Sequence, residues 1–406
     1  MEQARQYEIA GRYWDANRLL ERFTFRADGG VTDPFLFQYW AQFTPFVTNE
    51  LDPARYDLGR RSAPGDAEWA NRIAAARPRD AIDEIVARAR HTRIVILNEA
   101  HYSPRDRAFA WQVARALRPL GYDVLAAETF AGEAAKPGDL APVERLRRDG
   151  IVRRDTGFYT HDPVFAGFVR NALALGYRLL AYEQTKAQST PDGGVPEREQ
   201  AQADNLLAFL RANPNAKLFV YVGHGHVWEG GSDDPKGGMM AQRLKRMSGI
   251  DPLTIEQTSL SDLNTRARPA LAVAQSRLRG RPAIFMDGGT PLLLGATGEV
   301  DLQIVHPARS YRHGRPAWLA TLGGRPKAVP TALLPKQGER LVQVFAANAP
   351  DDAVPLDQVV VKAGEAAPML MIPNIPVRFA TQDDATVGQP WNTKEGNTPG
   401  GSEGGT

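Results

Sequence analysis

The sequence predicts an α/β fold in which a mostly parallel sheet carries helices on both faces, and three observations support this. Between residues 91 and 280, short apolar runs alternate with segments long enough to form amphipathic helices. The apolar runs are continuous, which is typical of strands buried on both faces of a parallel sheet. Parallel neighbours also need long crossover connections, and helices usually supply them in right-handed βαβ units.

The elements of this core alternate along the chain, and each follows from its local pattern. A run such as RIVILNEA reads as a strand, and the segment after it has helical spacing and a closing glycine at Gly121. The same reasoning predicts strands at 93–100, 123–130, 178–183, 217–222 and 252–257, with helices at 105–117, 163–175, 196–212 and 239–247.

Residues 1–90 are predicted to form a helical region that packs on the core. Apolar groups recur at helical spacing over 6–23, and Ile82, Ile85 and Val86 predict a further helix over 80–89. The segment 35–46 is rich in aromatic residues, which can line a ligand pocket or pack against a neighbouring domain. Packing is the commoner role, and we expect it here.

Residues 281–382 are predicted to form a small antiparallel β module resembling a sandwich, because helical periodicity is replaced by short strands with Pro and Gly between them. The expected strands are 301–306, 340–346, 357–362, 369–372 and 377–380. Residues 383–406 are rich in Gly, Thr, Ser and Asn, and this composition predicts a disordered tail.

Composition limits the class of protein. A chain of 406 residues suggests two or three folding units. Its 49 Lys and Arg against 47 Asp and Glu leave a net charge of +2, and no block of like charge stands out, so we expect no nucleic-acid partner. Cysteine is absent, which excludes disulfides, thiolate zinc sites and cysteine nucleophiles. No apolar run is long enough to span a bilayer, and residues 1–20 lack the apolar core of a signal peptide.

Acidic and imidazole side chains follow the four predicted strands of the core that come first in the chain. Because parallel strands point the same way, their carboxyl ends share one edge, where ligands bind in open α/β sheets. The pattern therefore predicts a functional crevice rather than separate helix caps and salt bridges. The residues concerned are Glu99, His101, Glu128, Glu183, His224 and His226.

The spacing of Glu99 and His101 is typical of a general base held in one tautomer by a carboxylate. Two or three His with one or two Glu also match a Zn, Mn or Fe site, for which Glu99, His101, Glu128 and His224 would be the ligands. The chain has no nucleophile elbow and no phosphate-binding glycine loop, so water is the expected attacking group and a nucleotide cofactor is not expected.

These residues carry a resemblance to the erythromycin esterase, ChaN-like and Tiki superfamily, over about residues 90–260. In that superfamily a first strand ends in Gly-Glu-x-His or Gly-Glu-x-x-His and a second strand ends in Glu. Here the strands read IVILNEAH (94–101) and GYDVLAAETF (121–130), with the shorter Glu-x-His spacing of the ChaN-like branch and with Asn98 in place of the usual Gly. Arg198-Glu199 and the segments GHGHV (223–227) and GGM (237–239) resemble two further family motifs.

The resemblance implies two classes of function. In the hydrolase class, His101 would be the general base oriented by Glu99, Glu128 and Glu183 would set water and charge, and His224 and His226 would stabilise the oxyanion. Members of the esterase branch act without a metal, whereas Tiki-like members depend on one. We expect hydrolysis of an ester or amide in a small-molecule or peptide substrate.

The second class binds haem, as ChaN-like members do, and the candidate axial ligands are Tyr102, Tyr159 and His161. The sequence therefore leaves three cofactor states open: none, a divalent transition metal, or haem. A third possibility is an inactive binding module.

Substrate contacts are expected from a few further residues, and the compartment follows from the resemblance. Arg105, His161 and Arg198 are candidates, and Arg107 could likewise meet a substrate carboxylate from an exposed helix start. Family members often carry leaders and this chain lacks cysteine, so we expect a bacterial periplasmic or cell-envelope location over a cytoplasmic one.

Overall fold

A computed structural model describes residues 1–59, 64–230 and 238–383. Helices dominate the first third of the chain and then alternate with strands. Many helices begin at a residue whose side chain accepts hydrogen bonds from the first turn, as Asp33, Asp80 and Asp162 do. The helices are α1 Glu2–Ile9, α2 Tyr13–Thr24, α3 Pro34–Phe43, α4 Pro53–Asp57, α5 Ala67–Ala75, α6 Ala81–Ala89, α7 Pro104–Leu117, α8 Pro142–Asp149, α9 Pro163–Ala174, α10 Gly194–Ala212, α11 Met240–Ser248 and α12 Arg268–Arg277.

Strands are short, and most of the longer ones lie either in the core or near the C-terminal end. They are β1 Arg77–Asp80, β2 Ile94–Glu99, β3 Val124–Ala127, β4 Arg178–Leu180, β5 Leu218–Gly223, β6 Leu253–Glu256, β7 Ala283–Asp287, β8 Thr290–Pro291, β9 Leu302–Gln303, β10 Tyr311–Arg312, β11 Arg315–Pro316, β12 Arg325–Lys327, β13 Glu339–Ala346, β14 Asp357–Lys362, β15 Leu370–Ile372 and β16 Val377–Asp383.

The protein is built on a six-stranded parallel sheet of order β4-β3-β5-β2-β6-β9. Strands β2 and β5 lie at its centre and are buried along their whole length. Two apolar clusters cover opposite faces of the sheet. One includes α6, α7 and α9, and the other includes α10 and α11. This arrangement confirms the predicted α/β fold with helices on both faces.

The core elements lie where the sequence predicts them, within a few residues at each end. The strands predicted over 93–100 and 217–222 are β2 and β5, and the helices predicted over 105–117 and 196–212 are α7 and α10. Because apolar strands and amphipathic helices are the strongest local patterns, this agreement is expected.

One strand was predicted in the wrong sheet. Residues 301–306 were expected in the C-terminal β module, but β9 pairs parallel with β6 and closes the edge of the core sheet. Its side chains Leu302 and Gln303 are buried there. The helices α8 and α12 were not predicted, and neither was the antiparallel sheet β1-β7-β8, which joins the helical N-terminal region to residues near 285.

Small antiparallel sheets follow the core, as predicted. Strands β14-β13-β16 form one sheet and β12-β15 form another, and both contribute to one apolar cluster that contains Val342, Val359 and Leu370. The division of the chain into separate domains stays a prediction, and most of the tail predicted to be disordered lies outside the described residues.

Residues 1–59 form an aromatic-rich apolar cluster that also includes Leu341 of β13. The predicted packing role of the segment 35–46 is confirmed for Phe37, Trp40 and Phe43, which are buried there. Within the described ranges, no helix is both long and apolar enough to cross a bilayer.

Candidate functional site

The carboxyl ends of β2, β3 and β5 bring three of the predicted residues to one edge of the sheet. Glu99 ends β2 and pairs in register with Gly223 at the end of β5, while Ala127 at the end of β3 pairs with Tyr221. Glu128 follows β3 directly, and His224 follows β5. The convergence that the strand ends predict is therefore what the sheet topology produces.

A carboxylate–imidazole pair stands at the end of β2. Glu99 Oε1 lies 2.9 Å from His101 Nδ1, and both side chains are almost fully buried. Burial raises the pKa of Glu99, but Arg107 and His101 lower it further, to about 2, so the carboxylate is ionised. An ionised Glu99 can only accept a hydrogen bond, so Nδ1 of His101 carries the proton and donates it, and in the neutral ring Nε2 is the nitrogen with the lone pair.

Arg107 of α7 fixes the position of the Glu99 carboxylate. Its guanidinium donates to both Glu99 oxygens at 2.8 and 2.9 Å, to the backbone carbonyl of His101 at 2.8 Å, and to Asp162 at 2.9 Å. The Arg107 side chain has no solvent exposure, so it does not lie on an exposed helix start where it could meet a substrate carboxylate. One buried cation thus fixes the backbone and carboxylate of the Glu99–His101 pair.

Arg198 of α10 joins the other two carboxylates. It donates to Glu128 Oε1 at 2.5 Å and, through Nε, to Glu183 Oε1 at 3.0 Å. Glu128 Oε2 also accepts from the backbone N–H of Gly223 at 2.6 Å. Burial raises the pKa of Glu128, but His226, His101 and Arg198 together lower it to about 2. Glu128 is therefore a fixed negative charge beside the imidazoles.

His226 lies between two carboxylates. Its Nδ1 is 2.6 Å from Glu199 Oε1, and its Nε2 is 3.5 Å from Glu128 Oε1 and 3.2 Å from Arg198 Nη1. Burial lowers the pKa of His226, but Glu199 and Glu128 raise it more, so the net direction is upward. The turn after β5 thus places an imidazole against the Glu128–Arg198 pair.

His224 adopts a left-handed backbone conformation with φ of 38°. Its carbonyl accepts from Asn98 Nδ2 at 2.9 Å, while Asn98 Oδ1 accepts from the backbone N–H of Gln257. His224 as a whole residue is exposed, and its ring meets His101 edge-on, with the ring centroids 5.0 Å apart. Asn98 therefore fixes the turn that carries His224 through these two hydrogen bonds. It stands where the family described in the sequence analysis usually has glycine.

Two further residues shape the space around His101. Tyr159 stacks on its imidazole, with ring centroids 3.9 Å apart and an angle of 12° between the planes. On the side of β5, a Cβ atom at Gly223 would lie 2.2 Å from His101 Cε1 and 2.5 Å from Nε2. Only glycine at this position lets the imidazole approach the strand.

Sequence reasoning missed four contributors to this site: Arg107 as an internal anchor, Asp162, Glu199 as a partner of His226, and Gly223. The signal for Arg107 was its spacing of eight residues from Glu99, across a strand, a turn and a helix start. Glu199 stood in the Arg198-Glu199 pair, but its direction from the helix is not readable from sequence.

Other predicted residues lie apart from the cluster just described. Both ring nitrogens of His161 face partners, Glu8 on one side and the Arg154 carbonyl on the other, and its ring packs against Phe46. Arg105 reaches the carbonyl of Pro307 at 3.5 Å. Their proposed contacts with substrate stay predictions.

The metal set predicted from sequence does not fit the geometry. In the described part of the chain, no three His, Asp or Glu side chains are placed to hold a metal ion. The physical reason is that the acids are already committed: Glu99 to Arg107 and His101, and Glu128 to Arg198 and the Gly223 amide.

The predicted haem ligands Tyr102, Tyr159 and His161 stay predictions, and the structure gives the surroundings of each. His161 has neither ring nitrogen turned toward open space, because each faces a partner. Tyr159 lies flat against His101, and the Tyr102 ring contacts Tyr56 and His224.

Comparisons with known proteins give remote similarities in structure alone. No family model matches the chain, and no curated protein matches it. The effector domain RRSP of a MARTX toxin from Vibrio vulnificus is 19% identical over 57% of this chain and 45% of that one, with a TM-score of 0.33. ChaN of Campylobacter jejuni, described with cofacial haem binding, is 8% identical over 56% of this chain and 92% of that one, with a TM-score of 0.34.

The C-terminal region of Pasteurella multocida toxin, described with a thiol-protease-like triad, is 13% identical over 52% of this chain and 30% of that one, with a TM-score of 0.31. This chain thus spans less than half of either toxin structure. Membership of the superfamily that the strand-end motifs resemble, in any of its branches, stays a prediction.

Proposed function

We propose that this protein is a hydrolase in which His101 activates a water molecule for attack on an ester or amide. The observation that carries the proposal is the Glu99–His101 pair at the ligand-binding edge of the sheet. A buried, ionised carboxylate on Nδ1 leaves Nε2 as a proton acceptor, which is the arrangement of a general base.

His101 can account for both proton transfers that the hydrolysis requires. Water would give its proton to His101 Nε2 as its oxygen attacks the carbonyl carbon, and the imidazolium formed would be stabilised by Glu99. His101 would then return the proton to the leaving oxygen or nitrogen as the carbon–heteroatom bond breaks. Neither step requires a nucleophilic side chain, which agrees with the absence of cysteine and of a serine elbow.

Positive charge for the developing oxyanion is available on the same edge. Arg198 is held by Glu128 and Glu183, and a third of its side chain is exposed. His226, whose pKa is raised, lies against the same group. Donors fixed before the reaction stabilise such charge without reorganisation, and we assign this role to Arg198 and His226.

The direct test is His101→Ala, assayed on a panel of model esters and peptides. We expect turnover to fall by at least a hundredfold, because general-base catalysis commonly contributes about that much. The far-UV circular dichroism spectrum should be unchanged. His91→Ala replaces an exposed histidine just before β2 and is the matched control. Unaltered turnover in His101→Ala would contradict the assignment.

The other two classes of function are outcomes of a second measurement. Elemental analysis and an absorption spectrum of the native protein should show neither a stoichiometric transition metal nor a Soret band after haem is added. A Soret band lost on replacing Tyr102 or Tyr159 would favour haem binding instead. Absence of turnover on every substrate, with no bound group, would favour a binding module.

A further inference from the structure

A cavity of about 470 Å³ opens between the N-terminal helices and the loop before α9. Its walls are mainly aromatic and aliphatic, and polar side chains stand among them. Volumes of 300–1,000 Å³ with apolar walls and few polar groups are typical of small-ligand sites. The lining residues are Met1, Glu2, Ala4, Arg5, Leu20, Tyr39, Gln42, Phe43, Phe158 and Tyr159.

This cavity and the catalytic edge share a side chain. Tyr159 lines the cavity and also stacks on the imidazole of His101 at 3.9 Å. Glu128 and Glu99 act on the Tyr159 hydroxyl strongly enough to contribute to the rise in its pKa, after burial as the main cause. The ring therefore stands between the general base and the apolar space.

The aromatic side chains that line the cavity pack against one another. Phe43 contacts Phe158 with ring centroids 5.6 Å apart, and Phe158 contacts Tyr159 at 5.1 Å. Tyr39 packs against Phe43 at 6.3 Å. Two residues of the aromatic segment 35–46, Tyr39 and Phe43, thus serve both packing and the cavity, whereas the sequence favoured packing alone.

We propose that this cavity binds an apolar group of the substrate, an acyl chain or aromatic ring attached to the ester or amide that His101 cleaves. The inference rests on the proposed function and names its substrate class. Binding of such a group is favourable because the apolar walls remove its surface from water. The reacting carbonyl would stay at the polar edge of the sheet, on the other side of Tyr159.

The test compares p-nitrophenyl acetate, butyrate and octanoate. We expect kcat/KM to rise with chain length, by on the order of tenfold from acetate to butyrate, because each buried methylene favours binding. Equal kcat/KM for the three esters would overturn the proposal.

A pair of substitutions on α3 localises the effect. Gln42→Trp places a large ring in the cavity and should lower the octanoate-to-acetate ratio of kcat/KM by about tenfold. Gln38→Trp adds the same ring one turn earlier on the same helix, at an exposed position outside the cavity, and should leave the ratio unchanged. Equal ratios in the two variants would place the chain-length preference elsewhere and contradict the assignment.

Octanoate binding, measured by calorimetry, separates this proposal from the hydrolase proposal. Binding that is weakened by Gln42→Trp, without hydrolysis of any ester, would support the cavity and overturn the activity. Hydrolysis of all three esters at equal kcat/KM, without octanoate binding, would do the reverse.

Discussion

Gly223 shows how one missing side chain sets the catalytic geometry. It ends β5 beside the Glu99 end of β2, with an ordinary extended backbone, so its conformation does not require glycine. What requires glycine is the imidazole of His101, which occupies the place that a Cβ atom would take. Gly223 also donates its N–H to Glu128. The position is thus fixed by contact with the functional residues rather than by backbone strain.

Gly223→Ala should displace the imidazole. A Cβ atom 2.2 Å from His101 Cε1 cannot be accommodated without moving the ring from Tyr159 and Glu99, and overpacking of this kind costs about 1–3 kcal/mol. We expect at least a tenfold loss of kcat and a lower midpoint in urea. The matched control is Gly225→Ala, two residues later.

At Gly225 a Cβ atom would meet the end of the flexible Met239 side chain at 3.3 Å, so little has to move. The free energy of unfolding of Gly225→Ala should therefore stay within about 0.5 kcal/mol of the wild-type value. If both variants lose activity equally, the turn as a whole is sensitive and the specific clash at Gly223 is not the cause.

The sequence predicts the residues at strand ends better than the residues that support them. Glu99, His101 and Glu128 follow apolar strands directly, so the parallel topology alone brings them together. Tyr159 lies in a loop far along the chain, and no local pattern tells which way its ring faces. Its stacking on His101 depends on how that loop packs, which is a tertiary property.

At the scale of elements, α7 is the part that ties the site to the fold. Its residue Arg107 binds Glu99 at the end of β2 and Asp162 at the start of α9, and all three side chains are buried. Asp162 also caps α9 by accepting from the Val164 N–H. A single guanidinium therefore sets the relative positions of one strand and two helices.

Arg107→Met should be strongly destabilising. It leaves Glu99 and Asp162 buried without their cation, and breaking a buried ion pair from one side costs about 3–5 kcal/mol. Urea unfolding should show this loss, together with reduced turnover. Arg115→Met removes an exposed arginine from the same helix and should change stability by no more than about 0.5 kcal/mol.

Arg107→Lys keeps the charge but not the fork that reaches both Glu99 oxygens and Asp162 together, so intermediate stability is expected. Stability equal to that of the wild type in Arg107→Met would mean that the pairs contribute nothing net, and the anchoring role would then be wrong.

Local sequence patterns fail to place strands whose pairing partners lie far away in the sequence. Strand β9 has only two residues, Leu302 and Gln303, and so short a local pattern suits either sheet. Its place beside β6 is decided by contacts such as that of Gln303 Nε2 with Glu256 Oε2 at 3.0 Å. Strand β1 reads RPRD, which no strand propensity favours, yet it pairs with β7 along four residues.

At the scale of the whole molecule, the parallel sheet is readable from sequence, but the docking of the outer regions is not. The N-terminal cluster includes Leu341 from β13, which lies 285 or more residues further along the chain than any other buried member. Arg315 binds both oxygens of Asp357 at 2.8 and 2.9 Å, with both side chains buried. Such long-range pairs depend on complementary shape and charge, and the hydrophobic periodicity of the sequence does not indicate them.

The dependence of global stability on pH should carry a contribution from one buried acid, Asp106. Burial raises its pKa from 3.8 to about 7, although Arg105 and hydrogen bonds from the Ala100 N–H and Ser103 lower it in part. Glu99 raises it as well, and His306 stands 3.9 Å from its other oxygen. The folded protein therefore holds Asp106 protonated over a range in which the unfolded chain ionises it.

The sign follows from proton binding. Below about pH 4 both states are protonated, and the contribution of Asp106 is fully present. Between about pH 4 and 7 the folded state binds more protons than the unfolded state, so stability declines as pH rises. Above about pH 7 both states are ionised, and the contribution has been lost.

Urea unfolding of the wild type and of Asp106→Asn between pH 4 and 8 measures this contribution, since the amide does not titrate. The difference in unfolding free energy, wild type minus variant, should fall by about 1.4 kcal/mol for each unit by which the folded pKa is raised, and should level off near pH 7. Asp83→Asn, on the exposed face of α6, is the control for loss of one carboxylate. A difference that stays constant across the range would mean that Asp106 ionises alike in both states, and the buried acid beneath the catalytic edge would then be a fixed charge.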